Sequence, residues 1–225
     1  MRMICYNYTG IITAILFTIA CVPVHADNSF INSGILAYTA GDFASAYTAF
    51  SVAANSGDAN AQTYLGSLYF VGEGAPQDYA QAAQWYTQAA EQGQPGAQLL
   101  LAGLYYCGQG VPKSYVQAYV LYTAAAYNPS ASNDVSTTAM GQRTSLIPLL
   151  DADQMLLAQR SVDAWASSHP LKMDQQPSVQ QSAPPVGTDP VSVELAPLPS
   201  CDQATAKRTW TAGKAAVAQP AQTSN

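Results

Sequence analysis

Two stretches of this chain are nearly the same stretch written twice. Residues 61–90 align without a gap on residues 97–126, an offset of 36, and fifteen of the thirty positions are identical. Self-similarity at a period of roughly 20–50 residues points to stacked supersecondary units that cannot bury their apolar faces alone. The identities are patterned. Ala61/Ala97, Leu65/Leu101, Leu68/Leu104 and Tyr69/Tyr105 follow i, i+4, i+7, i+8 spacing, which is one face of a helix. Tyr79/Tyr115, Ala82/Ala118, Tyr86/Tyr122, Ala89/Ala125 and Ala90/Ala126 trace a second helical face.

The segment between the two helices repeats as well. Gly72-x-Gly74-x-Pro76 matches Gly108-x-Gly110-x-Pro112. A glycine there ends the first helix in a positive-φ conformation, and proline prevents its continuation. Asp78 with Gln81, and Ser114 with Gln117, have the spacing of capping boxes that start the second helix. Gly57 and Gly93 are placed to end the second helices. Stepping back 36 residues from Asp78, Tyr79, Tyr86 and Ala90 lands on Asp42, Phe43, Phe50 and Ala54, so residues 29–56 read as an earlier pair with a shortened connector at Gly41. Downstream, Asp151 and Gln154 form a third capping box. The helix after it carries Leu156, Leu157, Val162 and Trp165, and residues 134–149 read as its partner. The expectation is an all-α solenoid of about four helix pairs over residues 27–170. Small residues such as Gly66 allow close approach, and Trp85, Tyr69, Tyr86, Tyr105 and Tyr122 fill the gaps.

The pattern Ala61-x-x-x-Leu65-Gly66-x-x-Tyr69-x-x-Gly72-x-Gly74, then Pro76-x-Asp78-x-x-x-Ala82-x-x-Trp85-Tyr86-x-x-Ala89-Ala90-x-x-Gly93, resembles the Sel-one-like repeat, a relative of tetratricopeptide repeats. The second copy departs with Ala102, Ser114 and Leu121 where the motif has Gly, Asp and Trp. The resemblance covers about residues 29–170. It implies a right-handed α/α superhelix used for protein–protein interaction, and among exported bacterial members, roles in envelope assembly, host contact and signalling.

The termini read differently. Arg2, an apolar run from Ile11 to Val22, Pro23 and then Val24-His25-Ala26 have the layout of a signal peptide cleaved after Ala26. The run is too short for the roughly 20 residues of a spanning helix. An uncleaved anchor and a lipoprotein acylated at Cys21 are the rival readings. Residues 171–225 hold seven prolines and many Gln, Ser, Ala and Thr, with four acids and four bases, which predicts a disordered tail. Trp210 is its one large anchor. Cleavage leaves Cys107 and Cys201, one in a helix and one in the tail, so two separate thiols are the expected state.

Chemistry is scarce. The net charge is −6 with eight Lys and Arg in all, which disfavours nucleic acid and anionic membranes. No Cys-x-x-Cys or His-x-x-x-His spacing suggests a metal, and no cofactor is implied. After cleavage His169 is the one histidine, read as a solvated helix end. Asp151 and Asp153 suit a helix start for dipole reasons alone. The glycine connectors have no preceding strand and no Lys-Ser/Thr after them, so they are not a phosphate cradle. The chain is therefore expected to be a non-enzymatic module for a protein or peptide partner. In a right-handed stack the first helices line the concave side. Gln62, Thr63, Tyr64, Ser67, Gln98, Leu99 and Leu100 are the candidate contact residues there, with Tyr64 and Leu100 read either as core or as an apolar binding strip. A cell-wall-related hydrolase and a lipid-anchored structural protein are the alternatives.

Overall fold

The computed structural model describes residues 28–169 together with Leu171 and Cys201. The expected signal peptide, residues 1–26, and nearly all of the expected disordered tail lie outside the described residues. Eight α-helices follow one another: α1 Asn28–Ala40, α2 Phe43–Asn55, α3 Ala59–Val71, α4 Tyr79–Glu91, α5 Pro95–Cys107, α6 Tyr115–Ala126, α7 Asn133–Leu146 and α8 Ala152–Ser168. A 3₁₀ turn, Ile147–Leu149, joins the last two. The pairs α1–α2, α3–α4 and α5–α6 each pack within themselves and then against the next pair.

Local sequence sets the helix boundaries. Asp42, Asp58 and Asp78 each accept backbone N–H groups of the following first turn, and Ser114 does so through its hydroxyl. Gln94 caps α5 in the same manner, accepting from Ala97 N at 2.7 Å. Of the three expected capping boxes, only Asp151/Gln154 closes in both directions. At Asp78 and Ser114 the first half alone forms, because Gln81 and Gln117 do not fold back onto the cap. The connectors behave as their glycines require. Gly72 and Gly108 take φ +79° and +73° and donate to Leu68 O and Leu104 O. Gly74 and Gly110 serve a further purpose. A Cβ at Gly74 would run into the Phe43 carbonyl, and one at Gly110 into the Tyr79 carbonyl. Each loop thus rests directly on the backbone where the preceding pair's second helix begins.

The same register governs the core. A Cβ on Gly34 would meet the Phe50 ring at 2.5 Å, and one on Gly66 the Tyr86 ring at 2.7 Å. An aromatic ring therefore lies flat on a bare stretch of the facing helix in each of the first two pairs. Tyr86 is fully enclosed, and its hydroxyl is within 3.0 Å of Ser67 Oγ. Ala61, Ala82, Ala89, Ala90 and Ala97 are likewise buried and let the helices approach closely.

The end of the stack differs from the expectation of a fourth regular pair. α7 packs on α6 as a next first helix should, but α8 also packs on α6 rather than folding back along α7. Repeat arithmetic explains this. Gln84, Gln88 and Glu91 form the exposed face of α4, and their counterparts 36 residues on are Val120, Ala124 and Tyr127. A helix apolar all round must be covered all round. Residues 118–127 are all buried, closed in by α5, α7 and α8. Val162 of α8 joins that core, whereas Leu156 and Leu157 of the same helix are exposed.

The cysteines also depart from expectation. Cys107 and Cys201 form a disulfide, with their Cα atoms 5.3 Å apart. Cys107 is the half-buried last residue of α5, and the Gln109 amide donates to Cys201 O at 3.2 Å. Local pattern carries no trace of a contact spanning 94 residues.

The glycine contacts make a test. Gly93 and Gly110 both have positive φ, but only Gly110 is pressed against a neighbouring backbone. Gly93→Ala should cost about 1–2 kcal/mol of left-handed strain. Gly110→Ala should cost at least about 1 kcal/mol more from overpacking, read as the difference in urea midpoints.

Candidate partner-binding surface

The concave-face residues singled out from the sequence fall into two groups. Gln62, Thr63, Ser67 and Gln98 are buried and offer nothing to a partner. The glutamines instead form a repeated clamp between pairs. Gln62 Nε2 donates to Ala54 O at 3.2 Å, and its Oε1 accepts from Gln92 Nε2 at 2.8 Å. One period later Gln98 Nε2 donates to Ala90 O at 3.4 Å, and its Oε1 accepts from Asn128 Nδ2 at 3.1 Å. Each side chain adds a second donor to a carbonyl at the end of the preceding pair's second helix, which already accepts from Gly57 N or Gly93 N. The signal was present in the sequence, since Gln62 and Gln98 are identical at the repeat offset.

Tyr64, Leu99 and Leu100 are half-buried. Tyr64 stacks on Phe50 with centroids 4.7 Å apart and planes 5° from parallel, and burial pushes its phenol pKa up. Leu99 and Leu100 pack against the core cluster that runs from α4 to α8. Tyr64 and Leu100 are wedges between helices more than an open strip.

Aromatic groups reach the surface elsewhere. Three aromatic pairs recur where the first helix of each pair ends and the second begins: Tyr38–Phe43 at 5.6 Å and Phe70–Tyr79 at 5.3 Å meet edge-on, and Tyr106–Tyr115 at 5.8 Å is tilted. In the second and third pairs all four rings are half-buried. At the second, Gln77 Nε2 donates to Phe70 O and to Tyr79 Oη. At the third, Lys113 takes that place, its ammonium 4.9 Å from the Tyr115 centroid and 5.8 Å from that of Tyr106. The hydrogen bond to Tyr115 holds the Lys113 pKa above its ordinary value. A cleft of about 490 Å³ opens beside it, lined by Lys113, Ser114, Tyr115, Val116 and Gln154. Aromatic edges, an amide and one cation are contact chemistry for a polypeptide.

The remaining polar candidates are structural. Asp151 is occupied as the cap of α8, accepting from Gln154 N at 2.8 Å. His169 is not simply solvated: it stacks on Trp165 at 4.2 Å, and its Nε2 is 3.1 Å from Glu91 O, joining the end of α8 to the end of α4. Among the described residues no group of three His, Cys, Asp or Glu could hold a metal ion. Nor is any helix among them long and apolar enough to cross a membrane.

The two 36-residue units match the Sel1 repeat family model, over residues 59–94 and 95–130. The chain carries two Sel1 repeats. It is similar in structure to a protective antigen present in uropathogenic Escherichia coli strains that displays an SLR fold. That likeness has a TM-score of 0.59 and 29% identity, and covers 74% of this chain and 35% of the antigen. A Sel1 repeat protein from Oxalobacter formigenes gives a TM-score of 0.44 and 25% identity, over 53% of this chain and 51% of its own. The chain thus spans about a third of the first protein and half of the second. None of the curated proteins matches it. The fold is the all-helical Sel1-repeat superhelix, typically a protein–protein interaction module, and Sel1 repeat proteins are generally non-catalytic scaffolds.

Two outcomes follow for this surface. Gln98→Ala removes two side-chain hydrogen bonds, the one to Ala90 O and the one from Asn128 Nδ2, and should lower stability by about 1–3 kcal/mol in urea unfolding. A compensated midpoint would show that the clamp carries no weight. The second concerns alkali. The hydrogen bond shared with Tyr47 and then burial raise the Tyr69 pKa from 10.0 to about 12, and burial pushes Tyr86 and Tyr122 the same way. The folded state therefore favours the neutral phenols. Their contribution is complete below pH 10 and is lost as pH rises through 12. The midpoint should fall steeply across that window, and less so in Tyr86→Phe.

Proposed function

We propose that this chain is an exported, non-catalytic scaffold whose Sel1-repeat surface holds an extended segment of another protein. The row of aromatic pairs carries the reading. Phe70–Tyr79 and Tyr106–Tyr115 stand one repeat apart on the same rim, with Gln77 and Lys113 at equivalent places beside them. A partner lying along that rim meets rigid apolar area at low entropic cost, with an amide and a cation to fix its register. Export is supported by the signal-like layout of residues 1–26 and by the Cys107–Cys201 disulfide, which belongs to an oxidising compartment. Host contact, envelope assembly and signalling are the settings the family suggests. That the structurally similar E. coli protein is a protective antigen favours the first.

The full chain immobilised as bait in native envelope extract should capture a defined protein after crosslinking. Tyr106→Ala with Tyr115→Ala should reduce capture at least tenfold while the melting curve keeps its shape. Capture lost instead on Tyr64→Ala with Leu100→Ala in a folded chain would move the site to the concave face. Peptide mapping of the exported protein without reductant should recover Cys107 linked to Cys201, and two free thiols there would remove one of the two supports for export.

A further inference from the structure

The second and third connectors have the same shape. Gly72 and Gly108 take similar left-handed φ angles, +79° and +73°. Glu73 N and Gln109 N donate to Leu68 O and Leu104 O, both at 3.1 Å. Asp78 N and Ser114 N donate to Tyr69 O and Tyr105 O, both at 2.9 Å. The second connector takes this shape with Val71 where the third has Cys107. The bond to Cys201 is therefore not what shapes the third connector or ends α5.

What changes between the two connectors serves Cys201 instead. Gly72, Gly74 and Pro76 are kept 36 residues on, while Val71, Glu73 and Ala75 become Cys107, Gln109 and Val111. Two of those changes touch one residue: Cys107 bonds Cys201 Sγ, and Gln109 Nε2 donates to Cys201 O at 3.2 Å. A carboxylate at 109, as in Glu73, could not donate to that carbonyl. Leu171 packs against the core, and 29 residues separate it from Cys201. A tether of that length reaches on the order of 100 Å when extended, so it does not by itself select where residue 201 lies. The sulfur and the amide on the connector do. Cys201 is exposed and Cys107 half-buried, so a reductant meets the bond from the Cys201 side.

We propose that the third connector is a seat for the chain's own C-terminal segment at Cys201, and that the Cys107–Cys201 disulfide is a redox latch that a dithiol opens while the helices stay stacked. A thiolate of the dithiol attacks Cys201 Sγ, a mixed disulfide forms, and Cys107 leaves as a thiolate that takes up a proton. The second thiolate of the reductant then displaces Cys201 Sγ, which is protonated in turn. The dithiol is oxidised to its own disulfide, and two electrons and two protons pass to the protein. With the covalent hold gone, Cys201 is kept in place only by non-covalent contacts such as the Gln109 hydrogen bond, for which water competes. Tyr106 and Lys113 flank the seat in the chain, so on the scaffold reading the latch governs the end of the rim that a partner meets. The latch itself is read through its thiols, independently of any partner.

The oxidised full chain should be titrated with dithiothreitol, with alkylated thiols counted by mass spectrometry and helix content followed by circular dichroism. Both cysteines should become alkylated with the helical signal kept. In glutathione buffers, Gln109→Glu should lower the ratio of closed to open latch about threefold relative to the unaltered chain, with unchanged circular dichroism. Gln109→Ala should do the same, which keeps the measurement available if the added charge disturbs the loop. Loss of helix on reduction would make the bond a staple of the fold and overturn the proposal. So would thiols that dithiothreitol reaches only in urea, or a glutathione equilibrium indifferent to both changes at Gln109.

Discussion

Each helix pair leaves one stripe of its first helix bare, and in this chain only the preceding pair can cover it. Everything else in the structure is subordinate to that coupling. Leu65 and Leu68 lie in one buried cluster with residues of α2, and Leu101 and Leu104 in one with residues of α4. The polar groups conform to it as well. Gln62 and Gln98 are tolerated in the core because each finds a carbonyl of the preceding second helix to donate to and an amide to accept from. Gly74 and Gly110 lack side chains because the loop must touch the backbone of the neighbour it leans on.

The repeat is most informative where it fails. When the outward Gln84, Gln88 and Glu91 of α4 become Val120, Ala124 and Tyr127 in α6, that helix loses the solvent face that would have exposed it. α8 supplies the missing cover, and His169 and Trp165 join its far end to α4. When Gln77 and Asp78 become Lys113 and Ser114, the rim exchanges an acid for a base beside the cleft shared with α8. When Val71 becomes Cys107, the same rim gains an attachment for Cys201. Three departures gather at the third pair, so that end is both the closure of the stack and its most differentiated surface.

The first three helix pairs and their stacking order were legible from residues alone. Helical period, glycine connectors and N-terminal caps are local features, and the offset of 36 states which unit neighbours which. The candidate surface was less legible. Gln62, Ser67 and Gln98 were expected on the surface from their place on first helices lining a concave side, yet each is buried with partners from helix ends or from Tyr86. The aromatic pairs Phe70–Tyr79 and Tyr106–Tyr115 were overlooked because their members lie nine residues apart, on different helices.

The sequence by itself determined a helical solenoid of Sel1 units, because hydrophobic period and turn chemistry act over a few residues and repeat. Only the tertiary structure decided where α8 lies, that Cys107 meets Cys201, and which polar side chains face inward. Those outcomes depend on surfaces that exist only after the pairs have stacked. A helix has no record of the acceptor it will meet until another helix ends against it.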